Sequence, residues 1–238
     1  MEREAVIRHL EALAPPELAE EFDAGRIGLV VEGREETGSI YCALDASPRV
    51  VEKALLDGTD MLVVHHTPIW APVTKIDGDL AAFLRGVLRS GMNVYVLHTN
   101  FDHAPGGVND VLAEMLRLSD IIPLSLGLVG DCPLSISEIS GLLGVPLRVW
   151  GELETVSRLA VVGGSGFDPL LIREAYEQGA DAFLSAELKH SVARAAPIPL
   201  IEATHYSLEA PAMRELARRF GWNYIDDPPA LSLWTSGN

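Results

Sequence analysis

The chain has 238 residues with 48% hydrophobic content and a mean hydropathy of +0.19, which suits one large buried core or two packed together and excludes a disordered chain. A formal charge of −16, with 18 scattered Lys and Arg, disfavours nucleic acid as a partner, because backbone binding needs clustered cations that release counterions. No apolar run approaches the ~18 to 20 residues that span a bilayer, and Cys42 and Cys132 are too few for a disulfide framework or a thiolate cluster, so no membrane partner and a reducing, cytoplasmic compartment are expected.

The amino terminus, MEREAVIRHLEAL, repeats Val6, Leu10 and Leu13 at helical spacing, reads as an amphipathic helix rather than a signal peptide, and is stopped by Pro15-Pro16. Residues 27–31 and 39–44 are short β-rich runs separated by the turn-forming GREETG. Ser47-Pro48 opens a helix carrying Val51, Ala54 and Leu55, which Gly58 closes. The next run is read as a strand over 60–64 in which Leu62, Val63 and Val64 lack an alternating polar partner, as in a strand buried on both faces, and it ends in His65-His66 before Pro68, which has no N–H for a ladder. Neighbouring side chains of a straight strand face opposite ways, so these two histidines share a site only if the strand frays there.

A helix is expected over 79–90, closed by Gly91, and then a strand over 93–97 that ends in His98-Thr99-Asn100-Phe101-Asp102-His103. Pro105-Gly106-Gly107 turns into a helix over 108–116. Strands joined by helices imply right-handed parallel crossovers, and both strands then release His and Asp at their carboxyl ends, where open α/β sheets keep their sites. Residues 120–156 show no clear period. Alternation resumes with a strand at 158–162, the loop Gly163-Gly164-Ser165-Gly166, a helix over 169–178, a strand at 181–184, a helix over 187–196, a strand at 198–203 and a helix over 206–220. The repeated alternation predicts an α/β protein of two similar αβα lobes with mainly parallel or mixed sheets.

Five polar positions fall at strand ends or helix starts: His65, His66, Asp102, His205 and Glu209. His205 and Glu209 are four apart and share one face of a helix's first turn. A carboxylate able to bridge two ions beside histidines suits a two-metal hydrolytic site, and mixed nitrogen and oxygen donors suit Zn, Mn or Fe. An isolated strand-end histidine is more often a hydrogen-bonded core residue; the adjacent pair is what favours ligation. His98 is either a third ligand or a residue that orients one from behind, and His9 and His103 are read as non-ligands. Because metal–ligand bonds are only ~2.0 to 2.2 Å, the chain after Ala203 must return to the first lobe, giving a metal-binding lobe of 1–124 plus 204–238 and a second lobe of 125–203. The GGSG loop reads either as a phosphate cradle or as an ordinary turn. Glu187, Lys189 and His190 put an acid, a cation and a base together, or simply form a solvated helix end.

The motifs DMLVVHHTPIW, VYVLHTNFDHAPGGVND, DAFLSAELKH and ATHYSLEAPAM, in this order over most of the chain, resemble those of the Nif-three-like family (NGG-interacting-factor-three-like), which includes GTP cyclohydrolase 1 type 2 homologues. The resemblance implies the Nif-three-like fold, a dinuclear metal site whose ligands fall on His65, His66, Asp102, His205 and Glu209, and a ring-shaped homohexamer. Ser191 stands where members usually carry a second histidine, and 120–156 is too short for the domain that some members insert between the lobes. The expected function is a dinuclear metal-dependent hydrolase acting on a nucleotide or related small metabolite, GTP cyclohydrolase 1 type 2-like, with Glu187, Lys189 and His190 as candidates for proton transfer or phosphate contact. The competing expectation is a non-enzymatic, metal-binding, ring-shaped scaffold or regulatory protein.

Overall fold

The structure, a computed structural model, describes residues 1–153 and 155–234. Helix α1 (Arg3–Leu13) buries Val6, Ile7 and Leu10, and two 3-10 turns, Pro16–Leu18 and Glu21–Asp23, lead from it to strand β1 (Gly28–Val31). Then come β2 (Ile40–Ala43), α2 (Pro48–Leu56), β3 (Met61–Val64), α3 (Gly78–Ser90), β4 (Asn93–Val96), the short α4 (Thr99–His103) and α5 (Val108–Met115). The sequence signals at these boundaries act as expected. The Ser47 hydroxyl accepts from the Val50 N–H at the start of α2, and Gly91 ends α3 with φ of 70°. The exception is α4, which occupies a stretch expected only as a strand end.

Residues 120–156 hold regular structure despite their weak periodicity: β5 (Ser119–Pro123), β6 (Leu128–Asp131), α6 (Ile136–Leu143) and β7 (Arg148–Trp150). Strands β5 and β7 are exposed along their length, so they carry no apolar alternation to read. The chain continues through β8 (Arg158–Val161), α7 (Pro169–Glu177), β9 (Ala182–Ser185), α8 (His190–Ala195), β10 (Leu200–Glu202), α9 (His205–Phe220) and β11 (Asn223–Tyr224). Helix α8 is shorter than the expected 187–196, because Glu187 sits at φ of 63° and cannot be part of a right-handed helix.

The strands form two mixed sheets, ordered β1-β4-β3-β2-β11 and β5-β6-β8-β9-β10-β7. In the first, β2, β3 and β4 are parallel, and β1 closes one edge antiparallel to β4. In the second, β8, β9 and β10 are parallel, flanked by antiparallel β6 and β7. The second sheet already starts at Ser119, ahead of the boundary expected at 124, and β11 returns to the first sheet beside β2. Each sheet buries both faces. Val51 of α2 and Val87 of α3 cover one face of the first sheet, and Leu10 of α1 with Met213 and Leu216 of α9 cover the other. Ile172 of α7 and Val192 of α8 cover the outer face of the second.

Helices α5 and α9 lie between the sheets. Val108 and Ala210 pack into the core of the first lobe, while Leu112 and Leu208, on the same two helices, pack into that of the second. The amino-terminal turn of α9 is thereby fixed where the carboxyl edges of both sheets meet. Among the described residues, no helix is long and apolar enough to cross a membrane.

Candidate metal centre

Strand β3 ends by fraying, and this is what places two adjacent histidines in one site. The N–H groups of His65 and His66 both donate to the Leu44 carbonyl, each at 3.0 Å, so the chain leaves the ladder at that point. The imidazole centroids are 5.0 Å apart with their planes at 58°, instead of facing opposite sides of the sheet. His65 is fully buried and His66 is half-buried. One strand over, β4 ends at His98 and α4, whose single turn carries Asp102; the Asp102 carbonyl accepts from the Asn109 side chain on α5. From α9, His205 and Glu209 reach the same place, separated by one helical turn as their spacing requires.

The donors fall into overlapping groups. A ring nitrogen of His65 lies with carboxylate oxygens of Asp102 and Glu209, and ring nitrogens of His66 and His205 lie with a Glu209 oxygen, each set within 4.8 Å. Glu209 belongs to both, one carboxylate oxygen facing each: Oε1 is 3.7 Å from His65 Nε2, and Oε2 is 3.0 Å from His66 Nε2 and 2.9 Å from His205 Nε2. These approaches lack hydrogen-bond geometry. His65 Nδ1 and Nε2, Asp102 Oδ1 and Glu209 Oε2 are buried without a hydrogen-bond partner, an arrangement that costs several kcal/mol per site in an ordinary core, at about 1–3 kcal/mol per group. Convergent, unpartnered nitrogen and oxygen donors fit a metal ion, which uses their lone pairs directly.

The electrostatics point the same way. Burial pushes the Asp102 carboxyl up to about 7, with Glu209 adding to the rise against the pull of His65. Burial would also raise Glu209, but His65, His205 and His66 outweigh it and hold that carboxyl well below the usual range. His66 is pushed up to about 10: burial works against its charged form, and Asp45 and Glu209 overcome it. His205 moves up as well, burial being overcome by Glu209 and Glu187. The cluster therefore favours positive charge, which a divalent cation supplies more fully than protons do.

The outer nitrogens of the half-buried imidazoles are held by carboxylates. Asp45 accepts from His66 Nδ1 at 2.7 Å, and Glu187 accepts from His205 Nδ1 at 2.7 Å. Each leaves Nε2 facing the cluster, as metal-ligating histidines require. Glu187 thus contacts a donor, whereas Lys189 and His190 are exposed and do not line the open cavity of about 650 Å³ in front of the centre. That cavity is walled by Asp45, His66, Glu187, His205 and the carboxyl-terminal Pro228-Pro229. His103 is paired with Glu20, and His9 is exposed in α1.

The GGSG loop has a role other than a phosphate cradle. Its Gly163 N–H donates to the Asn109 side chain and its Gly166 N–H to Ser185 Oγ, so these donors are already engaged. A Cβ on Gly164, which sits at φ of +64°, would lie 2.1 Å from Glu209 Oε1 and 3.2 Å from His205 Nε2. The second sheet thus gives Glu209 its room through a missing side chain. Nothing near Asp45 or Asp23 in the sequence marks either residue as a partner of a histidine, yet Asp45 holds His66 and Asp23 holds His98.

Fold and site together define an α/β protein of two mixed sheets whose histidine and carboxylate cluster can hold a metal ion. A model of the Duf34/NIF3 (NGG1p interacting factor 3) family matches residues 1–226, and the chain belongs to this family. A Pyrococcus abyssi protein named GTP cyclohydrolase 1 type 2 homolog is 32% identical over 97% of this chain and 100% of its own length. A Streptomyces coelicolor protein of the same name is 33% identical over 92% of this chain and 87% of its own. Among solved structures, reduced HcgD from Methanocaldococcus jannaschii superposes with a TM-score of 0.82 at 28% identity, covering 94% of this chain and 96% of HcgD.

Proposed function

We propose that the protein is a dinuclear metal-dependent hydrolase acting on a nucleotide or a related small metabolite, in the manner that the name GTP cyclohydrolase 1 type 2 homolog suggests for its relatives. The observation that carries this reading is the position of Glu209, whose two carboxylate oxygens face separate donor groups, so that one residue serves two ions. His65 and Asp102 would hold one ion and His66 and His205 the other, both of a Zn, Mn or Fe type. When bound, such a pair supplies Lewis acidity and lowers the pKa of water, which is the chemistry a hydrolytic step at neutral pH needs.

The chain's own residues do the positioning. Asp45 and Glu187 fix the rings of His66 and His205, and Gly164 leaves space for Glu209. The open cavity admits a small molecule to the His66 and His205 side, while the buried His65 side is closed to it. A homohexamer and a cytoplasmic location are part of the same proposal and rest on the family and on composition. The test is to incubate metal-loaded protein with a panel of nucleotides and follow ring-opened or hydrolysed products by mass spectrometry. Turnover that disappears in Glu209→Gln supports the reading. Stoichiometric metal with no product from any nucleotide rejects it and leaves a metal-binding scaffold.

A further inference from the structure

The imidazole of His98 stands against the donor cluster. A ring nitrogen of each of His65, His66 and His98 lies within 4.8 Å of the others. The His98 centroid is 5.1 Å from that of His65 and 5.7 Å from that of His66, spacings close to the 5.1 Å between the His66 and His205 rings.

What fixes this ring is a fully buried carboxylate. Asp23, at the end of the second 3-10 turn, is 0% exposed. It accepts from His98 Nδ1 at 2.8 Å and from the Thr99 N–H and hydroxyl. With Nδ1 bound as a donor, the lone pair of a neutral imidazole resides on Nε2. Trp70 packs edge-on against the ring with centroids 5.7 Å apart, and Phe22 does so at 6.3 Å, so the imidazole is clamped from the sides as well as from behind. Asp45 and His66, and Glu187 and His205, repeat the arrangement: a carboxylate takes the outer nitrogen and the inner one faces the cluster. His103 also pairs with a carboxylate but joins no such group of donors, whereas His98 combines the carboxylate partner with the ring spacing of the candidate ligands.

We infer that His98 is a further metal ligand, set beside both donor groups through its nearness to His65 of one and His66 of the other, with Asp23 as the residue that positions it. The cluster then presents His65, His66, His98 and His205, and a donor set so rich in imidazole selects a transition ion such as zinc or iron over magnesium or calcium, which prefer oxygen. This rests on the metal centre and not on hydrolysis, so absence of turnover would leave it standing.

The test uses the full chain stripped of metal and titrated with Zn²⁺ by calorimetry against a competing chelator, with the imidazole number per zinc counted by X-ray absorption. His98→Asn keeps an amide that can donate to Asp23 while removing the inward nitrogen, and so separates ligation from support of the fold. His98→Ala removes both. Both variants should weaken one zinc-binding step by about 10- to 100-fold and lower the imidazole count, while Asp23→Asn should weaken the same step by a smaller factor and keep the count. Magnesium should fail to displace zinc from the wild-type protein. Should His98→Ala fail to fold, His98→Asn carries the result. Two unaltered zinc-binding steps and an unaltered imidazole count in His98→Asn would overturn the inference, as would a wild-type protein that binds no zinc.

Discussion

The carboxyl edges of the two sheets are built alike and carry unlike groups. In the first sheet, the segments after β3 and β4 carry His65, His66, His98 and Asp102, all polar and gathered into overlapping donor groups. In the second, the segments after β8 and β9 carry small residues: Gly164 leaves space for Glu209, and Ser185 fixes the glycine loop through its hydroxyl. One lobe supplies donors and the other supplies room. Helix α9 joins them: His205 and Glu209 sit on its first turn, and its side chains enter both cores. The donors come from the first sheet's strand ends and from α9, while Gly164 and Glu187 of the second lobe give Glu209 its room and His205 its partner, so metal binding and the docking of α9 are linked.

The largest effect should come from the residue that serves both halves. Glu209→Gln removes the negative charge facing both donor groups; on the dinuclear reading proposed above, metal content should fall to one ion per chain or fewer, with affinity lost by about 100-fold or more. Elemental analysis after reconstitution and dialysis reads this. Full retention of two ions would show that the carboxylate does not bridge.

Chelation is the next test, because an ion held jointly by the strand ends of the first sheet and by α9 would stabilise only the folded chain. With free metal at about 100 times its dissociation constant, linkage gives about 2.7 kcal/mol. For a chain of this size that is about 5 to 10 °C in melting temperature. Calorimetry with and without a chelator should show a drop of this order, and an unchanged melting temperature in protein proven to be metal-loaded would mean that the ion does not clamp α9 to the first sheet's strand ends.

Space supplied by the second lobe can be filled deliberately. Gly164→Ala places a Cβ against Glu209 Oε1 at a positive φ, which costs about 1–2 kcal/mol from the backbone alone and displaces the carboxylate. Gly141, in the middle of α6, has nothing within 4 Å of its added Cβ. Gly141→Ala should therefore raise stability by about 0.5–1 kcal/mol and leave metal affinity alone. Equal behaviour of the two variants in urea unfolding and metal titration would refute the role given to the glycine loop.

The smallest effect sharpens the comparison from the far end of β3. Asp60 accepts from the Gly38 and Ser39 N–H groups at 2.9 Å each and pairs with Arg34 at 2.8 Å. Burial works against its charge, yet these partners lower its pKa below the ordinary 3.8. A carboxyl depressed on folding adds stability that is full above its unfolded pKa and is lost as pH falls through the folded value. Asp60→Asn should cost about 1 kcal/mol at neutral pH and flatten the acid limb of a urea-stability profile below about pH 4, with metal affinity unchanged at neutral pH. A parallel loss of metal would mean that the amino end of the strand is coupled to its site.

Much of the molecule is legible in the chain itself. The apolar run ending in His65-His66, the matching end of β4, and the one-turn spacing of His205 and Glu209 are local patterns, and local patterns follow from strand and helix periods. Capping residues such as Ser47 and Gly91 set helix ends for the same reason. Strands β5 and β7 escaped because exposed strands lack the alternation that burial imposes, and β11 because so short a strand exists only by pairing with β2.

Tertiary structure alone decided which groups stand behind the donors. Asp23 is 75 residues from His98, Asp45 is 21 from His66, and Glu187 is 18 from His205, so no period of the chain connects them. The meaning of Gly164 was equally hidden, since a glycine before a helix reads as a turn until Glu209 is seen pressed against it. Side-chain type and spacing determine what a segment becomes, whereas the orientation of a ring nitrogen and the space beside a carboxylate depend on residues that only folding brings near.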